Sequence, residues 1–377
     1  MVINIIIVLI AFITVASNHS SFLDFFTFLY FSKYILFLLL FFSLAITSKL
    51  KYYKTHNFSA SILLIYCMYI ILNSILFGDF KVGILRSLNS FLFVSILIFL
   101  NQKTLKAILT TYSVSLLVFL FLFSFQSYLL GYEMVSKTAI INSVNLQTRL
   151  LLGFNHPGVL SLQVLSVSLI GLIFWKHKML NFVLCFIFLL STGSQNSLFG
   201  LLVFIVSIYR SSKKTFIYLV AFSLGLILII GFGFDSINSI SSGRLNLWFF
   251  TFLDNFSNWN VLVGTGYGNA VRPIYDSVFF SQTEVTESFH IDNYFLELII
   301  EGGAFGFLVI ITYILSIYKV ISRSQHLLSF GLLNSLIFMG IFDSAFIGTG
   351  NVSFYFIWIL LFYTLSIKHV DYKSLKM

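Results

Sequence analysis

The sequence predicts an all-α polytopic membrane protein with about twelve transmembrane helices and one long extracytoplasmic loop. Three observations predict it. The first is composition: hydrophobic residues make up 59% of the 377, charged residues only 9%, and mean hydropathy is +0.99. A soluble domain carries about 25% charged residues to cover its water-facing surface. The second is run length, because apolar stretches of helical, membrane-crossing length recur from end to end. The third is the distribution of basic residues, which sorts by side once the stretches are numbered.

The apolar stretches fall near 2–17, 30–47, 59–76, 84–100, 107–130, 157–174, 178–192, 196–209, 215–233, 291–318, 327–345 and 351–367. Only two Pro interrupt the chain, so long helices are expected. The 178–192 and 196–209 pair is short and reads as two tilted helices meeting at a break. The first stretch has no basic segment before it, which favours a retained helix over a signal peptide ending near Ala16. Cys67 and Cys185 sit inside apolar runs and read as small buried hydrophobes.

With the N-terminus inside, 15 of the 22 basic residues fall on the inner side, which places both termini there. The net charge of +9 is therefore topogenic, and nucleic-acid binding has no support. The outer side receives Lys33, Lys81, Arg86, Lys137, Arg149, Arg244 and Arg272. Four of the six Arg in the chain are in that set, whereas 13 of the 15 inner residues are Lys. A guanidinium grips phosphate oxygens two at a time and keeps its charge, so an outer anionic ligand is one reading. Chance and lipid headgroup contacts are the other.

The chain divides into 1–233, with nine helices, a 57-residue loop at 234–290, and 291–377, with three helices and the C-terminus. Loops longer than about 12–15 residues are uncommon and usually functional. After Ser241-Ser242-Gly243, apolar residues at Leu245, Trp248, Phe249, Phe252, Leu253 and Phe256 repeat with helical period. Ser242 is the expected N-cap, and Arg244 falls in the first turn. Gly264-Thr265-Gly266-Tyr267-Gly268 follows; it reads as a tight turn, with phosphate contact the alternative.

The tenth stretch opens with His290 and carries Glu297 and Glu301. Residues 7 and 11 apart lie within about 20° of one helix face. His290, Glu297 and Glu301 would then form one stripe, flanked by Asn293 and Tyr294. Carboxylates inside a membrane helix mark a functional site unless each is paired with a buried Arg or a backbone group. Gly302 and Gly306 form a small-residue pair suited to a close helix contact.

Other polar groups gather on the same side. Arg149 precedes Gly153-Phe154-Asn155-His156-Pro157-Gly158, and Ser191-Thr192-Gly193-Ser194-Gln195-Asn196-Ser197 joins the seventh and eighth helices. Such a polar run is expected to be buried in protein or to line a wet cavity. Arg149, His156, Gln195, Arg244, Arg272, His290 and Glu297 are candidates to face one outward-opening chamber. The sequence carries no metal-ligand spacing, nucleophile elbow or P-loop.

The ordered set resembles the superfamily of O-antigen polymerases and O-antigen ligases. It consists of the S-x-N-S junction, S-G-R-x-x-x-W opening a long outer loop, G-x-G-x-G, and H-x-x-N-Y-x-L-E-x-x-x-E-G-G-x-x-G entering a helix. The resemblance spans the chain in helix count and loop position, and its specific part is residues 150–310. It implies a glycosyltransferase of the bacterial cytoplasmic membrane that acts at the outer face, without metal or nucleotide sugar. The implied donor is a sugar chain on polyprenyl pyrophosphate, the implied acceptor a sugar hydroxyl, and an implied partner is a chain-length regulator protein. No cofactor is implied. By motif position Arg244 matches the family's loop arginine and His290 its loop histidine. Relatives often carry Arg where this chain has Gln195, which leaves Arg149 and Arg272 as candidates for the second positive charge.

The expected function is polymerisation of lipid-linked repeat units into O-antigen or capsular polysaccharide. His290, Glu297 and Glu301 are the catalytic candidates; Arg244, Arg149, Arg272, Gln195 and His156 are the pyrophosphate-binding candidates. A ligase that transfers the chain to lipid A-core shares these residues. A flippase is the reading from another class, but it should show two similar halves and charge at the midplane.

Overall fold

The structure is a computed structural model. It describes residues 2–47, 57–99, 102–139, 146–154, 157–192, 194–209, 293–324, 326–341 and 352–366, and in addition Trp248, Asn255, 259–267 and Asn269. The described residues form eleven α-helices. They are α1 (Val2–Ala16), α2 (Phe26–Thr47), α3 (Asn57–Leu76), α4 (Phe80–Phe99), α5 (Gln102–Leu130), α6 (Pro157–Phe174), α7 (Lys178–Thr192), α8 (Gln195–Tyr209), α9 (Tyr294–Ser324), α10 (Leu327–Ile341) and α11 (Val352–Ser366). Each apolar stretch of the sequence corresponds to one of them except 215–233, which lies outside the described residues. By length and apolarity, Gln102–Leu130 and Tyr294–Arg323 are long enough to cross a membrane, and the remaining apolar helices are shorter.

One departure from the all-α expectation lies between α5 and α6. Strands β1 (Val135–Ala139) and β2 (Leu146–Leu150) pair antiparallel, with Ser136 opposite Arg149 and Lys137 opposite Thr148. The pairing gives the backbone of this polar connection its own hydrogen-bond partners where no helix does so.

Helix α11 occupies the centre, with Val352 to Thr364 buried, and packs against α10, α6 and α5. Helix α8 packs on α10, α1 on α5 and α2, and α3 on both α4 and α9. A helix that is apolar all round needs apolar surroundings on every side, and α11 finds them in protein. Helix α5 is apolar on both faces but buries only one. Leu116, Leu120 and Phe123 point inward, while Leu117, Val118, Phe121, Leu122 and Phe125 are exposed. An exposed apolar face of that extent is what a hydrocarbon solvent requires.

Candidate active site

Helix α9 is built around a break. Gly303 has φ 61° and ψ −164°, a combination open only to glycine. An added Cβ there would also lie 2.5 Å from the Gly264 nitrogen. Breaking a helix frees carbonyls before the break and amides after it, and each needs a new partner. Segment 259–267 supplies most of them. The Trp259 indole donates to Ile299 O at 3.0 Å, Thr265 N–H to Ile300 O at 2.8 Å and Gly266 N–H to Glu301 O at 3.0 Å. The Tyr69 hydroxyl of α3 donates to Gly302 O. Beyond the break, Ala304 N–H donates to Val261 O at 2.8 Å and Phe305 N–H to Leu262 O at 3.2 Å. The loop segment thus stands in for the missing turn of the helix.

This geometry decides between the two readings of the glycine-rich run. Gly264 N–H donates to Asn260 O, Thr265 and Gly266 N–H to α9, and Tyr267 N–H to the Asn73 side chain. The four described amides of the run are committed to protein acceptors, so 264–267 is a docking turn; Gly268 lies outside the described residues. Gly302 and Gly306 do make a close contact, but its partners are the Tyr267 hydroxyl and, for Gly306, the Tyr69 ring as well.

The α3–α4 connection grips the same turn. Asp79 N–H donates to Tyr267 O at 2.7 Å, Asn73 Nδ2 donates to Val263 O at 2.7 Å, and the Asn269 amide donates to Phe77 O. Below it lies a group of phenols. Tyr66 and Tyr294 are joined at 3.1 Å, and the Tyr267 hydroxyl donates to Tyr66 at 3.4 Å. Burial, then neighbouring Tyr66, raises Tyr267 well above the usual phenol range, so its hydroxyl remains a neutral donor.

The two carboxylates lie on the start of α9. Asn293 caps the helix, accepting from Leu296 N–H through its side chain at 2.9 Å and from Glu297 N–H through its carbonyl at 3.0 Å. Glu297 therefore sits near the helix N-terminus, where partial positive charge favours it. Glu301 lies four residues on, along the same face. The Arg86 guanidinium of α4 spans both, with one nitrogen on Glu297 and another on Glu301. Its plane also lies over the Tyr267 ring, 5.7 Å from the centroid. The Glu301 side chain is 4% exposed and the Glu297 side chain 13%, so Glu297 is the more accessible of the two.

The structure thus brings together Glu297 and Glu301 of the expected stripe, and pairs both with Arg86, which is the structural alternative to a functional role. Asn293 is non-helical, so the helical stripe holds for these two residues, and His290 lies outside the described residues. His156, Arg244 and Arg272 also lie outside them. Arg149 is placed on β2 opposite Ser136, and Gln195 opens α8. The neighbouring junction residues Thr192 and Ser197 are buried, and Ser197 hydrogen-bonds Ser161 of α6 at 2.9 Å. Reading the sequence placed Arg86 on the outer side but did not single it out. Its signal was an arginine inside the apolar run Gly83-Ile84-Leu85-Arg86-Ser87-Leu88, the kind of residue that marks a partner elsewhere in a membrane bundle.

Residues 180–311 match a family model described as O-antigen ligase. That segment belongs to the O-antigen polymerase and ligase superfamily. The superfamily segment runs from α7 to the middle of α9, and contains the docking turn, both carboxylates and the break at Gly303. Arg86, which completes the carboxylate pair, lies outside it. No curated protein matches the chain. The superfamily match and the apolar helices together support a bacterial membrane protein that acts on polysaccharide.

Proposed function

We propose that the protein is a polymerase of surface polysaccharide that joins oligosaccharide repeat units carried on polyprenyl pyrophosphate. The observation that carries this reading is the superfamily segment together with its setting: segment 259–267 is hydrogen-bonded onto α9 beside Glu297 and Glu301. In this reading the active site faces the outer side of the cytoplasmic membrane, and 234–290 is an extracytoplasmic loop.

The acceptor sugar hydroxyl attacks the anomeric carbon of the donor. The bond from that carbon to the pyrophosphate oxygen breaks, polyprenyl pyrophosphate leaves, and the hydroxyl proton passes to a base. His290 is that base, since neutral imidazole accepts a proton near pH 7. Arg244 holds the pyrophosphate, with Arg149, Arg272, Gln195 and His156 around it, because positive charge is needed where negative charge develops. Glu297 is the accessible carboxylate and orients the base or the acceptor. Glu301, the deeper one, contributes through its hold on Arg86.

Turnover of purified lipid-linked repeat units tests the assignment. Removing a general base typically costs about 10²–10⁴ in rate, so His290→Gln should make little polymer. Near wild-type turnover would refute the base. Arg244→Lys should rescue little, because one ammonium cannot copy a two-point grip; full activity would refute that role.

The matched family description favours a second reading, a ligase that places the finished chain on lipid A-core. Loss of the gene separates the two in a lipopolysaccharide ladder. Loss of a polymerase leaves one repeat unit on the core, and loss of a ligase leaves bare core.

A further inference from the structure

A cleft of about 610 Å³ runs between α5, α6 and α7, away from the carboxylate cluster. Phe121, Val164 and Leu184 form its walls, and Phe121 and Leu184 are 71% and 58% exposed, so it opens sideways rather than into the bundle. From Leu160 to Trp175 it follows α6 for roughly 22 Å at 1.5 Å per residue, most of the hydrocarbon thickness of about 30 Å. Its two ends differ in charge. The end nearest the β-hairpin is lined by Ser124, Leu152 and Leu160, none of them charged. The other end is lined by Trp175, Lys176 and His177. A second ammonium stands at that end, with Lys106 Nζ 6.0 Å from the ring centroid of Phe174.

We infer that this cleft is a binding site for an anionic glycerophospholipid of the inner leaflet, with an acyl chain along Phe121, Val164 and Leu184 and its phosphate at Lys176. Three features point to one occupant. The walls are hydrocarbon, which suits a chain and no polar ligand. The ammonium groups cluster where a headgroup would lie, each worth about a fivefold preference for an anionic lipid. Trp175 sits between wall and charge, the position an indole takes at the hydrocarbon boundary. The proposed carrier substrate would need its pyrophosphate at the opposite, uncharged end, so the cleft does not suit it.

The test uses the full chain, purified and held in micelles containing either phosphatidylglycerol or phosphatidylcholine, with retained lipid counted by native mass spectrometry. The wild type should retain phosphatidylglycerol over phosphatidylcholine by about fivefold or more. Lys106→Gln with Lys176→Gln should bring that preference close to one; both side chains are exposed, so the fold is retained. Leu184→Trp, which fills the cleft, should lower retention of both lipids. Equal retention by the wild type, an unchanged preference in the double variant, or preferential retention of a polyprenyl phosphate overturns the inference. The readout is bound lipid and not polymer, so failure here leaves the proposed function standing, and the converse also holds.

Discussion

Two places in the molecule fasten a connection to the helical bundle, and they do it with opposite electrostatics. At the first, segment 259–267 docks on α9 around Gly303, beside Arg86, Glu297 and Glu301. At the second, the turn after α1 docks on the hairpin connection and α5 through neutral groups. His19 Nε2 meets the Ser127 hydroxyl at 2.6 Å, and His19 Nδ1 accepts from Ser21 N–H at 3.3 Å. Because Nδ1 is an acceptor, the neutral ring carries its proton on Nε2 and donates to Ser127. Ser20 adds two donors to Gly153 O, its N–H at 2.9 Å and its hydroxyl at 2.8 Å. Both fastenings use a glycine at positive φ, Gly303 at 61° and Gly153 at 80°. The charged one depends on a balance of ions, because removing one partner strands the others away from water. The neutral one depends on a single tautomer, and can be weakened by a proton alone.

Breaking the ion balance should have the largest effect. Arg86→Ala leaves two carboxylates on one helix face without their cation, at a cost of about 3–5 kcal/mol, read as a loss of thermal stability in detergent. Adding Glu297→Gln and Glu301→Gln to Arg86→Met removes the stranded charge and should recover most of that stability. An Arg86→Ala protein as stable as the wild type would remove the distinction between the two fastenings.

Next in size is the helix break. Gly303→Ala forces a Cβ into backbone at 2.5 Å and a strained φ/ψ that alone costs about 1–3 kcal/mol. Protein level in the membrane and protease sensitivity of the loop should both report it. Gly153→Ala should fall at the low end of the same range of about 1–3 kcal/mol. Its new Cβ meets side-chain atoms rather than backbone, Ser127 Oγ at 1.9 Å, Ser127 Cβ at 2.7 Å and His19 Nε2 at 2.8 Å. If Gly153→Ala proves the more damaging, the neutral fastening is the more rigid one.

The smallest effect is the proton. Burial lowers the pKa of His19 below the ordinary histidine value, partly offset by backbone carbonyls of Phe123 and Leu152. The unfolded chain therefore takes up a proton at His19 before the folded protein does. Stability from this group is complete above the ordinary histidine value, and is lost as pH falls from there through the lowered value of the folded protein. Thermal stability should decline on acidification in the wild type and decline less in His19→Gln. Equal slopes would show that the ring is not held neutral.

The helices were legible because run length and apolarity are local. The carboxylate face was legible for the same reason, since Glu297 and Glu301 are one turn apart. The hairpin was not: Val135-Ser136-Lys137-Thr138-Ala139 and Leu146-Gln147-Thr148-Arg149-Leu150 are too short and too polar to stand out from a connection. The glycine-rich run was legible as a turn, but its target was not, because the acceptors belong to a helix broken at Gly303. The Arg86 pairing lay furthest out of reach, with the partners 211 and 215 positions apart in the chain. A single chain records which residues are costly in a bilayer but not which of them meet.

That separation bears on how the protein is made. Arg86 leaves the ribosome more than two hundred residues ahead of Glu297 and Glu301, so α4 is inserted while its guanidinium has no carboxylate to hold. Arg86 lies six residues into α4, roughly 9 Å from its start at 1.5 Å per residue, close enough for its long side chain to reach the headgroup layer in the interval. The start of α9 faces the same problem with the sign reversed, and it cannot be finished until 259–267 has folded back onto it. The charged fastening therefore closes late in biogenesis, and an α9 that has not met α4 is the species a membrane quality-control protease would recognise.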